Sequence, residues 1–267
     1  MDRLPSPTPH IIAEKDGAIG WLTFSRPARH NAMSLDMWLA LPEVMHGFSE
    51  DPEIRVIVLK GAGENAFVAG ADISQFAENR ADAEQATRYD AVNNAAFTAI
   101  RDVGKPTIAM IHGFCVGGGV AIAISCDLRL ASEGSTFGVT AARLGLAYPA
   151  EATRLLLETV GPAFAKELFF TGRHFDHEEA LAMGLVNRTF PSINLEREVR
   201  EICNQIADNA PLSMAIAKAT INAMMLYPDT HDREQIDGLT RTCYESFDYR
   251  EGRTAFMEKR KPQFRGQ

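Results

Sequence analysis

Three consecutive glycines, Gly117, Gly118 and Gly119, stand between an apolar, β-branched run and a stretch of small residues. This order predicts a buried strand, Thr107–Ile111, that turns through a glycine-rich bend into a buried helix beginning near Val120. Glycine lets the backbone adopt positive φ and lets a ligand approach the main chain closely. The unpaired N–H groups at the helix start suit an anion or a developing oxyanion. Tight packing of a helix on a strand, with no ligand, would use the same residues.

A second turn of this kind lies upstream, between the strand-like run 55–60 and a helix start. Small residues form it: Ala69, Gly70 and Ala71. Asp72 follows at a position that can cap the helix. Two such turns can each direct one backbone N–H at a single oxygen atom. The sequence therefore indicates a site that stabilises an oxyanion with main-chain amides.

The elements that must position these turns alternate between strands and helices up to residue 194, which predicts an α/β core with parallel strand pairing over residues 10–194. Residues 195–267 differ, because three helical stretches follow one another with no strand among them and a short helix leads toward Lys259. We predict that this region is an all-helical C-terminal extension. Residues 1–9 hold three prolines and no apolar segment, and we predict a disordered leader rather than a signal peptide.

The composition argues against several classes of protein. Hydrophobic residues make up 46% and charged residues 23% of the 267 residues, which is ordinary for a globular protein. The formal net charge of −8 argues against nucleic acid as a partner. No run approaches the roughly 20 apolar residues of a membrane span. The four cysteines lack CxxC spacing, which favours a reduced cytoplasmic protein with neither a disulfide framework nor a metal site.

The two turns lie in segments that resemble the signature blocks of the crotonase, or enoyl-CoA hydratase/isomerase, superfamily. These segments read AFVAGADI over residues 66–73 and HGFCVGGGVAIAISCDLRLAS over residues 112–132. Further matching blocks extend the resemblance over nearly the whole chain: Ser25–Pro27, Asn31–Met33, Phe137-Gly138, Ala180–Asn187 and Phe256–Phe264. The resemblance implies a spiral of ββα units. It also implies that the helical extension packs across subunit contacts in a homotrimer or a dimer of trimers.

In this family two backbone amides hold the carbonyl oxygen of an acyl-CoA thioester, and the resemblance assigns these amides to Ala71 and Gly118. No cofactor is implied beyond the CoA moiety of the substrate. The positions predicted to contact that moiety are Arg26, Arg29, Ala69, Asp72, Ile73 and Lys259. Lys259 begins the strongest basic run of an acidic chain, although a solvated charged tail would have the same composition.

The acid–base groups depart from the family pattern. Enoyl-CoA hydratases use two glutamates, and the ungapped blocks place Ala121 and Ala141 at those positions. Alanine can neither donate nor accept a proton, so the usual hydration machinery is missing. A decarboxylase- or hydrolase-like reaction through a thioester enolate or oxyanion is therefore favoured. A hydratase with displaced acid–base groups and a non-catalytic acyl-CoA-binding subunit stay open as alternatives.

Replacement groups follow in the segment RLGLAYPAE, residues 143–151. Tyr148 stands where the methylmalonyl-CoA decarboxylase branch has a tyrosine, and it is predicted to hold a carboxylate or deliver a proton, unless it is only a packed loop residue. Glu151 is a candidate base, or a carboxylate that favours the helix macrodipole. Arg143 is a candidate partner for a substrate carboxylate, or a surface arginine. The positions predicted to line the acyl group are Thr140, Ala141 and Arg143.

Overall fold

The computed structural model describes residues 1–79, 81–226 and 233–267. Within these ranges the strands are β1 Asp2–Leu4, β2 Ile11–Asp16, β3 Ile19–Phe24, β4 Val56–Gly61, β5 Ala66–Val68, β6 Thr107–Ile111, β7 Phe114–Val116, β8 Leu128–Ser132, β9 Thr136–Gly138, β10 Phe175–Asp176 and β11 Arg188–Phe190. The α-helices are α1 Leu35–Glu50, α2 Phe76–Asn79, α3 Ala83–Asp102, α4 Gly118–Ser125, α5 Ala150–Thr171, α6 His177–Ala182, α7 Leu195–Ala207, α8 Pro211–Leu226, α9 Arg233–Glu245 and α10 Phe247–Glu258.

The strands form two sheets that the chain visits in turn. The larger sheet has the order β1-β2-β3-β4-β6-β8-β11, and the smaller sheet has the order β10-β9-β7-β5. From β3 onward the strands of the larger sheet are parallel, and β5, β7 and β9 are parallel in the smaller one. From β4 to β9, successive strands alternate between the sheets, which gives the repeating ββα arrangement. The predicted α/β fold with parallel pairing is confirmed.

The N-terminal residues contradict the prediction of a disordered leader. Strand β1 pairs antiparallel with β2, from Asp2 opposite Lys15 to Leu4 opposite Ala13. Beyond it, Thr8 is buried and donates its hydroxyl hydrogen bond to Asp36. Main-chain pairing needs no apolar side chains, so the polar composition of this segment did not reveal the strand.

Two apolar cores flank the larger sheet. The main core lies between the two sheets and helices α1, α3 and α4. The second core lies under α7, where Leu195, Val199 and Cys203 are spaced four residues apart and are fully buried. They pack against outward-facing strand residues that include Trp21 and Val58. The helical extension therefore begins by covering the outer face of the sheet.

None of the helices in the described ranges is long and apolar enough to cross a membrane.

Candidate functional site

The two glycine-rich turns lie side by side because the strands before them are neighbours. Strands β5 and β7 pair in parallel, with Ala66 opposite Phe114, so their carboxyl ends meet at one edge of the smaller sheet. The chain leaves β5 through Gly70, which has φ of +106°, and leaves β7 through Gly117, which has φ of +53°. Glycine adopts these values without the strain that a side chain would add. The turns could therefore be recognised from the sequence.

The amides that follow these glycines lie close together. A Cβ atom added to Gly118 would lie 3.7 Å from the backbone nitrogen of Ala71. Among the hydrogen bonds of residues 1–79, 81–226 and 233–267, none uses the amide of Ala71 or Gly118 as its donor. The flanking amides are bonded, since those of Gly117 and Asp72 each donate to a carbonyl oxygen at 2.8 Å. One oxygen atom between the two free amides would accept both hydrogen bonds.

Both amides open into one cavity, here called the central cavity. Its empty volume is about 690 Å³, including space open to solvent, which lies in the usual range for small-molecule sites. The walls come from α1, α3, the start of α4, the turn 69–73 and the segment 140–149. Within the described part of the chain, no charged side chain lines it. The predicted residues that do line it are Ala69, Ala71, Ile73, Gly118, Thr140, Ala141 and Tyr148.

The two alanines at the expected acid–base positions both face the central cavity. Ala121 lies in the first turns of α4 and is 1% exposed. Ala141 begins a 3₁₀ helix, Ala141–Leu144, on the opposite wall. The cavity therefore receives only methyl groups from these positions.

Tyr148 is held against the turn before α4. Its hydroxyl donates to the main-chain oxygen of Gly117 at 2.9 Å, and its ring packs edge-on against Phe169 with 5.3 Å between the ring centroids. Desolvation raises the pKa of Tyr148 well above its ordinary value. The group therefore stays protonated at neutral pH and cannot act as a base.

Glu151, predicted as a candidate base, is not among the described residues that line the central cavity. It lies in the first turn of α5 and pairs with Arg101 and with Arg154, the latter at 2.7 Å. The hydrogen bond from Arg154, followed by the charge of both arginines, holds the pKa of Glu151 below its ordinary value. A carboxylate held by two guanidinium groups is a poor proton acceptor.

Arg26 and Asp72, both predicted to contact CoA, bind each other. The guanidinium of Arg26 donates to Asp72 at 2.8 Å and to the backbone oxygen of Ala32 at 2.8 Å. Asp72 also accepts from the amide of Ser74 at 3.1 Å and so caps the 3₁₀ helix Ile73–Gln75. The pair fixes the turn that carries the Ala71 amide.

The remaining predicted cations lie outside the lining of the central cavity. Arg143 is exposed and lies over Gly172, at the end of α5, so the structure does not bring it to a bound acyl group. Arg29 is exposed in the 3₁₀ turn Pro27–Arg29. Lys259 is exposed at the C-terminal cap of α10.

Sequence reasoning missed one wall of the central cavity. Helix α3 presents Tyr89, Asn93 and Phe97, spaced four residues apart, and all three are buried. On the facing helix α1, Trp38 donates its indole N–H to the Tyr89 hydroxyl oxygen at 3.0 Å and packs edge-on against Phe97. An asparagine in the middle of an aromatic stripe was the available signal.

Comparisons with known proteins find relatives over nearly the whole length of the chain. The family model for enoyl-CoA hydratase/isomerase matches residues 14–267. The short-chain-enoyl-CoA hydratase of Clostridium acetobutylicum is 35% identical over 253 residues, which cover 94% of this chain and 96% of that relative. The crotonyl-CoA hydratase of Syntrophomonas wolfei is 34% identical, with coverage of 96% and 97%. A solved enoyl-CoA hydratase/carnithine racemase from Magnetospirillum magneticum has a TM-score of 0.93 at 38% identity and covers 98% of this chain and 97% of its own. Two turns with free amides above one cavity, and a match over nearly the whole chain, show that the protein belongs to the enoyl-CoA hydratase/isomerase, or crotonase, family.

Proposed function

We propose that this protein converts an acyl-CoA thioester through an enolate held by the amides of Ala71 and Gly118, and that its reaction is a decarboxylation. One observation carries the proposal. In the described lining of the central cavity, no carboxylate, imidazole or ammonium group accompanies these amides. The reaction that fits is one that needs an oxyanion site and a proton donor but no base.

The described lining of the central cavity offers no base for reactions that activate water. Hydration and hydrolysis both require a group that removes a proton from water. Ala121 and Ala141 stand where the family resemblance places the glutamates for this task. Tyr148 cannot replace them as a base, because its raised pKa keeps its proton in place.

Decarboxylation makes fewer demands on the side chains. The bond between the α-carbon and the carboxylate breaks, carbon dioxide leaves, and the electron pair passes into the thioester to form the enolate. Each amide donor contributes about 3 kcal/mol to stabilising such an oxyanion. A carboxylate in a cavity without charged partners is costly to bury, and its loss as a neutral molecule removes that cost. The Tyr148 hydroxyl then turns away from the Gly117 oxygen, gives its one proton to the enolate carbon and regains a proton from water.

A hydratase activity is the second candidate, because the relatives named above are hydratases that match this chain at 34% and 35% identity over nearly its full length. In that case Tyr148 would supply only the proton donor, and a base from outside the described lining of the central cavity would activate the water. The central cavity and the two amides would serve both reactions in the same way.

One assay panel separates the candidates. The purified protein is given malonyl-, methylmalonyl- and crotonyl-CoA, and carbon dioxide release and loss of the enoyl absorbance are measured. We expect carbon dioxide from at least one malonyl-type thioester and no hydration of crotonyl-CoA. Hydration without decarboxylation would favour the second candidate. Tight binding of the thioesters with no turnover would indicate a non-catalytic subunit.

We also propose that Arg29 and Lys259 bind the phosphates of CoA. The support for Arg29 is its position next to the turn 69–73. The amide of Ala69 in that turn donates to the backbone oxygen of His30 at 3.1 Å, and this bond ties the loop of Arg29 to the turn. Weaker binding of free CoA by Arg29→Gln and Lys259→Gln variants would support the assignment, and unchanged binding would contradict it.

We further propose that the helical extension joins copies of the chain into a homotrimer or a dimer of trimers. It exposes large apolar side chains, among them Phe256 at 82% and Met257 at 80%, which water disfavours on a monomer. Sedimentation should give a mass of three or six times 29.3 kDa. A monomer would contradict the proposal.

A further inference from the structure

Asn93 carries a buried side-chain amide in the wall of the central cavity. The residue is 6% exposed, lies on α3 and lines the central cavity. Its Oδ1 atom has no hydrogen-bond partner among the described residues. A buried amide oxygen without a partner destabilises a folded protein. Such a group in the wall of a binding cavity points to a ligand that supplies the missing hydrogen bond.

The aromatic neighbours of Asn93 connect it with the turn that carries the Gly118 amide. Tyr89 and Phe97 lie one turn away on either side of it and are 4% and 2% exposed. Trp38 packs on Phe97 with 5.6 Å between the ring centroids. The same indole touches the oxyanion turn, since its ring carbon lies 3.2 Å from where a Cβ atom of Gly118 would be. One aromatic ring therefore connects the α3 wall with the amide of Gly118.

We propose that Asn93 is a specificity-determining residue that selects acyl-CoA thioesters with a hydroxyl group on the acyl chain. The inference rests on the proposed acyl-CoA function. A hydroxyl donates to Oδ1 and accepts from Nδ2, so it satisfies both ends of the amide. An alkyl chain would leave the amide unpaired. A cationic substituent would lack a counter-charge, because no acidic side chain lines the described part of the cavity.

Asn94 provides a matched control on the same helix. Its Oδ1 is also buried without a hydrogen-bond partner among the described residues, but the residue is not part of the cavity lining. Asn93→Leu and Asn94→Leu therefore make the same chemical change on two faces of α3. Only the first removes an amide from the lining of the central cavity.

The test is a calorimetric binding series with hexanoyl-CoA and its 3-, 4-, 5- and 6-hydroxy derivatives. We expect the unmodified protein to bind one hydroxylated thioester about tenfold more tightly than hexanoyl-CoA, as one buried hydrogen bond allows. Asn93→Leu should reduce this preference to less than about twofold, and Asn94→Leu should keep it. Asn93→Leu should also raise Tm by about 2–4 °C, because it removes an unpaired polar group.

Each other outcome has a definite meaning. A preference that survives in Asn93→Leu, or no preference in the unmodified protein, would overturn the assignment while leaving the acyl-CoA function intact. A lower Tm for Asn93→Leu would also overturn it, because the amide would then have a partner such as bound water. Failure of the unmodified protein to bind any of the thioesters would instead refute the proposed acyl-CoA function.

Discussion

The hydroxyl of Tyr148 donates to the carbonyl oxygen of Gly117, and that carbonyl belongs to the same peptide group as the amide N–H of Gly118. A hydrogen bond to the oxygen of a peptide group polarises its N–H and makes it a stronger donor. The amide of Ala121 also donates to this oxygen, at 3.2 Å. Tyr148 therefore supports the proposed oxyanion site through the main chain, and in the proposed reaction the same hydroxyl turns away from Gly117 to give up its proton.

Replacing Tyr148 with phenylalanine should lower kcat for decarboxylation by about 10²- to 10³-fold, because both the proton donor and the polarising hydrogen bond are lost. KM should change little, since the ring stays in place. The raised pKa also predicts that the unmodified rate shows no loss through tyrosine ionisation up to about pH 10. Steady-state kinetics from pH 6 to 10 measure both effects. Tyr244→Phe, at a tyrosine that is 62% exposed on α9, is the control and should have no effect.

A proline at Gly118 tests the amide itself. Gly118 is the first residue of α4, where proline is tolerated in helices. Gly118→Pro removes the N–H and should lower kcat/KM by at least about 10²-fold relative to Gly118→Ala. The alanine variant keeps the N–H and adds the same Cβ, which meets Trp38 at 3.2 Å in either case. Equal activity of the two variants, both folded by circular dichroism, would show that this amide does not hold the substrate.

Features of the site that depend on local backbone geometry could be predicted from the sequence. Positive φ at Gly70 and Gly117 requires glycine, so both turns were visible in the sequence. The role of Glu151 could not be predicted, because its partner Arg101 lies fifty positions earlier and only the packing of α3 on α5 joins them. The lack of a described hydrogen-bond partner for the Asn93 Oδ1 atom likewise could not be predicted, because it depends on which distant side chains the fold brings near α3.

Introducing a carboxylate at Ala141 should create some hydratase activity. The residue is half-buried at the start of a 3₁₀ helix, so Ala141→Glu can be accommodated beside the central cavity. We expect crotonyl-CoA hydration to rise at least tenfold over the unmodified protein, since a general base contributes 10²–10⁴ when well placed. Ala141→Gln is the matched control because it has the same shape without a basic oxygen. A rise in both variants, or in neither, would contradict our interpretation of this position.

Glu151 should matter for stability rather than for turnover. Glu151→Gln leaves Arg101 and Arg154 without their shared carboxylate and should lower Tm at pH 7, while kcat changes less than about threefold. The folded pKa of Glu151 is below its ordinary value of 4.5, so its stabilisation is complete above that pH and is lost as the pH falls through the lower folded value. The Tm difference between the two proteins should therefore shrink below pH 4.5. Glu84→Gln, which disrupts an exposed pair with Arg88, should change Tm much less. A large loss of kcat in Glu151→Gln would restore Glu151 as a catalytic candidate.

Arg26 should act on catalysis by positioning the Ala71 turn. Lysine cannot reproduce the two divergent hydrogen bonds that the guanidinium makes to Asp72 and Ala32, so Arg26→Lys should let the turn move. A positioning role predicts a fall in kcat of about tenfold with both a CoA thioester and the matching pantetheine thioester, because the nucleotide is not involved. Direct binding of a CoA phosphate would instead raise KM for the CoA thioester alone. Arg29→Lys, in the same loop but exposed, should leave kcat unchanged with both substrates. This comparison separates the positioning role from the contact with CoA that the sequence predicts for Arg26.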